Sequence, residues 1–533
     1  MRQLLISFLF LTAACKSPSR GGVVHPTGME KVNQKGPTWE LELVPARHNR
    51  ELRPALLGHY DLSGALFKYD QVKGLAGAMK RAGVAEWRVG VGRWEAATLL
   101  LPTLTNGKAC PFPLARAKAP AGQGVLDLIR GRDWFVDTGQ TVTLAHTGQD
   151  ARYALGYVRS VLDTAAALGA VPFVSIDLMP RALAANRAPE REHCLWSFTN
   201  KVSNARPADH RVFAAAVEGL VRRIVEGSGA EAGRAVTHFE IWNEPDLPYF
   251  WDRSLDPELH QFFAAAATAL VRLDAYRKRA GRASLRFGLG GFASHRAAIK
   301  VIQAFDGNAL PNGKHLPLDF ISFHGYSNDP LEIAAKVRQV AAAVKASTHF
   351  RDVELVLSEW GPDLKATGGD QAYAASMEPP LLMSTVIALG ANMGLSRSHH
   401  TFFWDFYAGD VITWGLYDHA MRPKPLAHAY QLMARLIGAG ARRLDIAGIQ
   451  AGKLDGGQGA ILAAREAATG KVRVLLINRG KAPRRARLRL DADKPLVPNV
   501  ITLFDNPARA PRKIRPEGAI IQVPARSLLL VEY

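Results

Sequence analysis

Cysteine is scarce: only Cys15, Cys110 and Cys194 occur in 533 residues. None lies in a CxxC or Cys/His spacing, so no zinc site is expected, and no Asp/His cluster has ligand spacing for another metal. Past the N-terminus, no stretch approaches the roughly 20 apolar residues that a membrane-crossing helix needs. No GxGxxG opens a helix after the first strand-like run, which argues against a dinucleotide-binding, doubly wound sheet and leaves no cofactor expected. Repeats and low-complexity tracts are missing too, which excludes solenoids and fibres. A hydrophobic share of 48% with 22% charged residues is that of a folded globular chain. Its length calls for two or three domains.

Acidic residues are also in deficit, 48 against 67 Lys and Arg, for a formal charge of +19. Nucleic acid is the usual partner of such a chain, yet no nucleic-acid motif accompanies the charge. Scattered arginine, with a patch at Arg509, Arg512, Lys513 and Arg515, reads instead as a solvated basic surface suited to an acidic polysaccharide or an anionic envelope.

What is present begins at the N-terminus. Arg2 gives a positive start, Leu4 to Leu11 an apolar run, and Thr12-Ala13-Ala14 small residues before Cys15, the pattern of an export signal. Leu11-Thr12-Ala13-Ala14-Cys15 resembles a bacterial lipoprotein signal, with Thr12 where such signals usually carry Leu; it implies lipidation of Cys15 and a lipid anchor in a membrane. Cleavage near Ala14 without lipidation is the other reading. Either way the protein is expected outside the cytoplasm, where Cys110 and Cys194 either pair or remain free thiols.

Residues 16–50 read as a tether and an edge strand. From about Leu56 to 440, short apolar runs alternate with helical patterns, which implies βα units around a parallel sheet. Eight strand candidates fall at 56–60, 86–90, 171–176, 238–242, 285–289, 320–324, 354–358 and 400–404. Helical stretches at 71–82, 151–169, 209–227, 257–281, 294–305, 331–346, 371–390 and 425–438 separate them. Eight such pairs predict a (β/α)8 TIM barrel. Residues 441–533 alternate with period two between turns and predict a small antiparallel β-sandwich domain, which the early strand near 38–43 is placed to join.

Two glutamates stand where such a barrel concentrates its chemistry. Glu244, in Trp242-Asn243-Glu244-Pro245-Asp246, ends the fourth strand candidate; Glu359, in Ser358-Glu359-Trp360-Gly361, ends the seventh. Carboxylates following buried apolar runs are costly unless paired or used. Strands four and seven end on different sides of the barrel mouth, facing one another over any bound ligand. Two carboxyl groups about 5–5.5 Å apart are what double-displacement cleavage of a glycosidic bond requires. Asn243 beside Glu244 suits a sugar 2-hydroxyl. Trp404, at the end of the eighth candidate, is a stacking platform or a core residue; Trp134, Trp196, Phe250 and Trp251 are subsite or packing residues, and His399 and His400 belong to core or site.

Trp242-Asn243-Glu244-Pro245-Asp246, His324-Gly325-Tyr326 and Ser358-Glu359-Trp360 together resemble glycoside hydrolase family 39, which includes β-xylosidases and α-L-iduronidases. The resemblance covers roughly 50–440, and the separation 359 − 244 = 115 positions fits it. It implies Glu244 as general acid/base, Glu359 as nucleophile, and His324, Tyr326 and Arg88 as neighbours supporting the nucleophile. The chain departs at Gly90, where those enzymes carry a sugar-contacting histidine two positions after the arginine, so neither specificity transfers. The expected activity is retaining hydrolysis of an extracytoplasmic oligo- or polysaccharide. An endo-acting exopolysaccharide hydrolase and an inactive carbohydrate-binding surface lipoprotein are the alternatives.

Overall fold

The computed structural model describes residues 38–45, 51–60, 74–91, 141–144, 149–152, 155–177, 179, 183, 205–226 and 236–533; within the last range 249, 254–255, 309, 311–313, 364–369, 402, 404, 406–412, 419, 439 and 491–493 are left out. Cys15, Cys110, Cys194, Trp134, Trp196 and Trp404 lie outside the described residues.

Eight parallel strands close a barrel in chain order. They are β1 (Gly58–Tyr60), β2 (Glu86–Gly90), β3 (Val171–Ile176), β4 (His238–Ile241), β5 (Arg286–Phe292), β6 (Phe320–Tyr326), β7 (Glu354–Gly361) and β8 (Leu395–Thr401). This is the TIM barrel that the alternating pattern predicts. Between β2 and its helix the chain also forms a hairpin, Thr141–Leu144 with Gln149–Arg152.

The eighth strand differs from expectation. It spans 395–401 rather than 400–404, and its sequence Leu-Ser-Arg-Ser-His-His-Thr holds one apolar residue. Burial there is satisfied ionically: Arg397 pairs with Glu86 and Glu354, and His399 lies 2.9 Å from Glu86. A buried charge tolerated through pairing gives no hydrophobic signal. His399 also packs on the Phe173 ring at 4.8 Å, and His400 meets Trp360 and His59 edge-on at 5.0 and 5.7 Å, so both are held in the core.

The helix expected at 371–390 is two helices, Gln371–Ala374 and Glu378–Asn392, because Pro379 and Pro380 lack the N–H groups a continuous helix needs and suit a helix start. The second is buried nearly all round. A helix with no polar face must be covered on both sides. The barrel covers one side and the C-terminal sheet the other: Ala460, Leu462, Leu475, Ile477, Leu528 and Leu530 share the barrel's outer core. Arg443 Nη1 donates to the carbonyls of Ala391 and Asn392, satisfying the helix's last turn.

That C-terminal sheet has eleven strands and is mixed rather than purely antiparallel. The edge strand Thr38–Pro45 joins it, running parallel to Arg484–Leu490 and antiparallel to Ala441–Ile446. Its other face encloses a second core, with Trp39, Leu41, Leu43, Val474, Leu476, Leu488 and Leu529. Among the described residues no helix is long and apolar enough to cross a membrane.

Candidate active site

Side chains on a strand alternate faces, so every second residue of each barrel strand points inward and rises toward the mouth. Along β2 the inward series is Glu86, Arg88, Gly90; along β3 it is Phe173 and Ser175, with Asp177 next beyond the strand end. The series on β4 is His238 and Glu240; on β6 it is Phe320, Ser322, His324 and Tyr326. Phe173, Phe320 and Val356 form a small apolar cluster inside the barrel. Toward the mouth stands a layer of buried charge.

Arg88 is the centre of that layer, 1% exposed. Its Nε and Nη2 donate to Glu240 Oε2 at 2.8 and 2.5 Å, and Nη2 also donates to Asn243 Oδ1 at 2.7 Å and Ser175 Oγ at 3.3 Å. Nη1 reaches Glu359 Oε2 at 3.5 Å, and the guanidinium lies 4.6 Å from the Tyr60 ring centroid. The partners outweigh the cost of burial and push Arg88 further up, so it is a fixed positive charge.

Glu359 reaches this charge through a break in register. The pairing of β7 with β6 shifts between Leu357 and Glu359, and such irregularities re-aim a side chain. Tyr326 donates its hydroxyl to Glu359 Oε1 in a short hydrogen bond, while also lying 3.1 Å from Thr401 Oγ1. Burial raises the Glu359 pKa; His324, Arg88 and Tyr326 pull it down, and Glu244 pushes it up.

Glu244 approaches from the opposite wall on a strained backbone. Trp242 and Glu244 have φ of 80° and 46°, conformations that cost of order 1–3 kcal/mol each unless the surroundings enforce them. Two backbone bonds do so: Trp242 N–H to the Ile176 carbonyl at 2.9 Å, and Glu244 N–H to the Gly291 carbonyl at 2.7 Å. Trp242 itself is packed edge-on to Trp251 at 5.3 Å. Trp251 is 1% exposed and donates to Asp256, so it is a packing residue and not a sugar subsite. Burial, with Asp246 adding to it, lifts the Glu244 pKa to about 8 against the pull of Arg88. Asp246 accepts from the Ala293 and Ser294 amides at the start of the helix His295–Phe305.

His324 stands between the two carboxylates, with Nδ1 2.8 Å from Glu244 Oε1 and 3.8 Å from Glu359 Oε2. Burial holds its pKa low, so the ring is neutral near pH 7. Ligand-capable atoms of Glu244, His324 and Glu359 all lie within 4.8 Å of one another. These residues are also the one group among the described residues able to hold a divalent ion, but each already has a hydrogen-bonding partner.

The sequence profile described as Glycosyl hydrolases family 39 matches residues 87–439, well over half of the chain. The chain belongs to this family. A β-xylosidase of Caldicellulosiruptor saccharolyticus is 27% identical over 240 residues, covering 44% of each chain. One from Geobacillus stearothermophilus is 26% identical over 176 residues, covering 33% of this chain and 31% of that one. The matches thus span less than half the length of these relatives. The fold is shared with a glucosidase from Croceicoccus marinus (TM-score 0.56, 16% identity, 93% of this chain and 98% of that one). It is also shared with an α-L-arabinofuranosidase from Thermotoga maritima (TM-score 0.52, 13% identity, 93% and 99%).

In this family 39 member, Glu244, Glu359, Arg88, Asn243, His324 and Tyr326 converge as the motifs imply. Trp360 does not face the mouth: it is 0% exposed and meets His400 edge-on at 5.0 Å, so it backs the site. Glu240, Ser175, Ser322 and Tyr60 escaped the motif reading. Glu240 carried a signal, being a carboxylate inside the apolar run His238-Phe239-Glu240-Ile241, which demands a buried cation. Gly291 escaped as well; its amide donates to Ser322 Oγ at 2.8 Å, and a Cβ there would sit 3.0 Å from Arg88 Nη2. Gly90 does not leave open space. A Cβ at that position would meet the Asp177 carboxylate, Oδ2 at 3.3 Å and Oδ1 at 3.5 Å.

Proposed function

We propose that the protein is a retaining glycoside hydrolase, with Glu359 as nucleophile and Glu244 as general acid/base. The observation that carries this reading is the closeness of the two carboxyl groups, within 4.8 Å at their nearest oxygens. Inverting enzymes keep their carboxyl groups roughly 6.5–9.5 Å apart to admit a water, whereas about 5–5.5 Å suits direct attack by one of them. Glu359 Oε2 attacks the anomeric carbon as Glu244 gives its proton to the departing glycosidic oxygen, leaving a glycosyl ester on Glu359. Glu244, now a carboxylate, takes a proton from water, whose oxygen displaces Glu359 and regenerates both groups. Arg88 and Tyr326 stabilise Glu359 as it leaves, and Asn243, held by Arg88, faces the sugar's 2-hydroxyl.

The raised pKa of Glu244 supports its role as the acid. At neutral pH Glu244, near 8, is mostly protonated; Glu359 is raised by burial, with Arg88 and the Tyr326 hydroxyl favouring its charged form against that. Because the acid must be protonated, kcat/KM is expected to fall as pH rises through about 8. Glu244→Gln removes that descending limb on an aryl glycoside with an activated phenol, which needs little protonation. With a poor leaving group the same variant loses roughly 10²–10⁴-fold. An unchanged descending limb in Glu244→Gln counts against the role.

The similar β-xylosidases support an exo-acting, xylosidase-like activity on an oligo- or polysaccharide. Intact carboxylates and Arg88 weigh against the inactive carbohydrate-binding alternative. The N-terminal signal supports export, with Cys15 as the lipid attachment point. Cys15→Ala is then expected to shift the protein from the detergent phase to the aqueous phase on Triton X-114 partition; unchanged partition overturns the lipid anchor.

A further inference from the structure

The charged groups of the mouth are almost all paired. Arg88 spends its donors on Glu240, Asn243, Ser175 and Glu359. Glu359 holds Tyr326, and Glu244 holds His324. Asp177 has no such pairing through either oxygen among the described residues. Its Oδ1 is shut from solvent and, like Glu240 Oε1 and His324 Nε2, has no hydrogen-bond partner among the described residues; Glu240 and His324 are held through their other atoms. An unpartnered buried carboxylate oxygen is costly and requires an explanation.

Its position supplies one. Asp177 continues the inward series Phe173, Ser175 past the end of β3, one step above the Ser175 that touches Arg88. The inward series of β2 ends beside it at Gly90, with no side chain to meet it, and Asp177 occupies the space a side chain there would take. The carboxylate is therefore held at the mouth, close enough for the charges of Arg88 and Glu240 to act on it. Burial raises its pKa to about 6, with Arg88 opposing, so it is largely ionised at neutral pH. Such a group has only acceptor capacity to offer. What it lacks is a hydroxyl donor, and what it repels is a second anion.

Resting on the glycosidase reading above, we infer that Asp177 determines specificity: its carboxylate accepts hydrogen bonds from ring hydroxyls of a neutral glycosyl unit seated over Glu359 and rejects a glycuronate there. An acidic polysaccharide remains compatible with the basic surface only if the unit actually cleaved is neutral.

Kinetics of the full chain on 4-nitrophenyl glycosides test this, using the β-xyloside, β-glucoside, α-L-arabinofuranoside, α-L-iduronide and β-glucuronide. Wild type is expected to prefer a neutral glycoside. Asp177→Ala and Asp177→Asn are expected to lose roughly 10- to 100-fold in kcat/KM on it, the scale of a charged hydrogen bond. The neutral-to-uronide ratio should shrink about tenfold or more in both, with the thermal midpoint held near wild type. Inhibition of the wild type by free neutral sugars against glycuronates gives the same contrast without any variant. A wild-type preference for a uronide, or a ratio unchanged in folded variants, overturns the inference while leaving the glycosidase reading intact. Silence on every glycoside overturns that reading, and the role of Asp177 with it.

Discussion

Glu359→Gly is expected to lower turnover of an activated aryl glycoside on the order of 10⁴–10⁶-fold, the scale of deleting a covalent nucleophile. The fold should survive, because Arg88 keeps Glu240 and Asn243 as partners when Glu359 is gone. The missing side chain also leaves room beside the anomeric carbon, so added azide should restore turnover and yield a glycosyl azide of inverted configuration. Rescue of this kind separates loss of the nucleophile from loss of structure. Full turnover by Glu359→Gly without azide contradicts the assignment.

Replacing Arg88 is expected to affect both stability and activity. Arg88→Met leaves Glu240, 0% exposed, as a buried carboxylate without its cation. Removing one partner of such a pair costs about 3–5 kcal/mol. Asn243 and Glu359 lose a donor in the same step, so kcat falls along with stability. Arg88→Met/Glu240→Leu removes both charges and is expected to recover most of the denaturation midpoint, since buried pairs replaced by apolar groups are often neutral in stability. Activity should stay low in the double variant. Recovery of activity along with stability would reduce Arg88 to a structural residue.

Much of the barrel was legible because its signal is local. Strands 86–90 and 171–176 coincide with expectation, as do the helices at 295–305 and 425–437 within a residue. The eighth strand was not, since Arg397, Ser398 and His399 hide a buried strand behind polar residues with partners elsewhere in the fold, Glu86 and Leu56 over 300 positions away and Glu354 at 43. Pairing partners fix burial there, and no window of sequence contains them. The two glutamates were legible as rim residues from their place after apolar runs. Their spacing was not, because it rests on the positive φ of Trp242 and Glu244 and on the register break in β7, both of which depend on neighbouring strands.

Gly90 shows the same limit from the other side. In sequence it reads as a lost donor and open space; in the fold, Asp177 from the neighbouring strand fills that space. The residue that fills it lies 87 positions later (177 − 90), on another strand's end. The glutamate pair is thus marked by local motifs, while what stands beside Gly90 is set by contacts between strands.

The most direct measurement of the central claim is proton NMR of the sugar released in the first minutes of hydrolysis, before mutarotation, on whichever aryl glycoside the enzyme cleaves best. Two displacements at one carbon, with Glu359 and Glu244 within 4.8 Å, predict that the first-formed product keeps the anomeric configuration of the substrate. First appearance of the opposite anomer would contradict the mechanism.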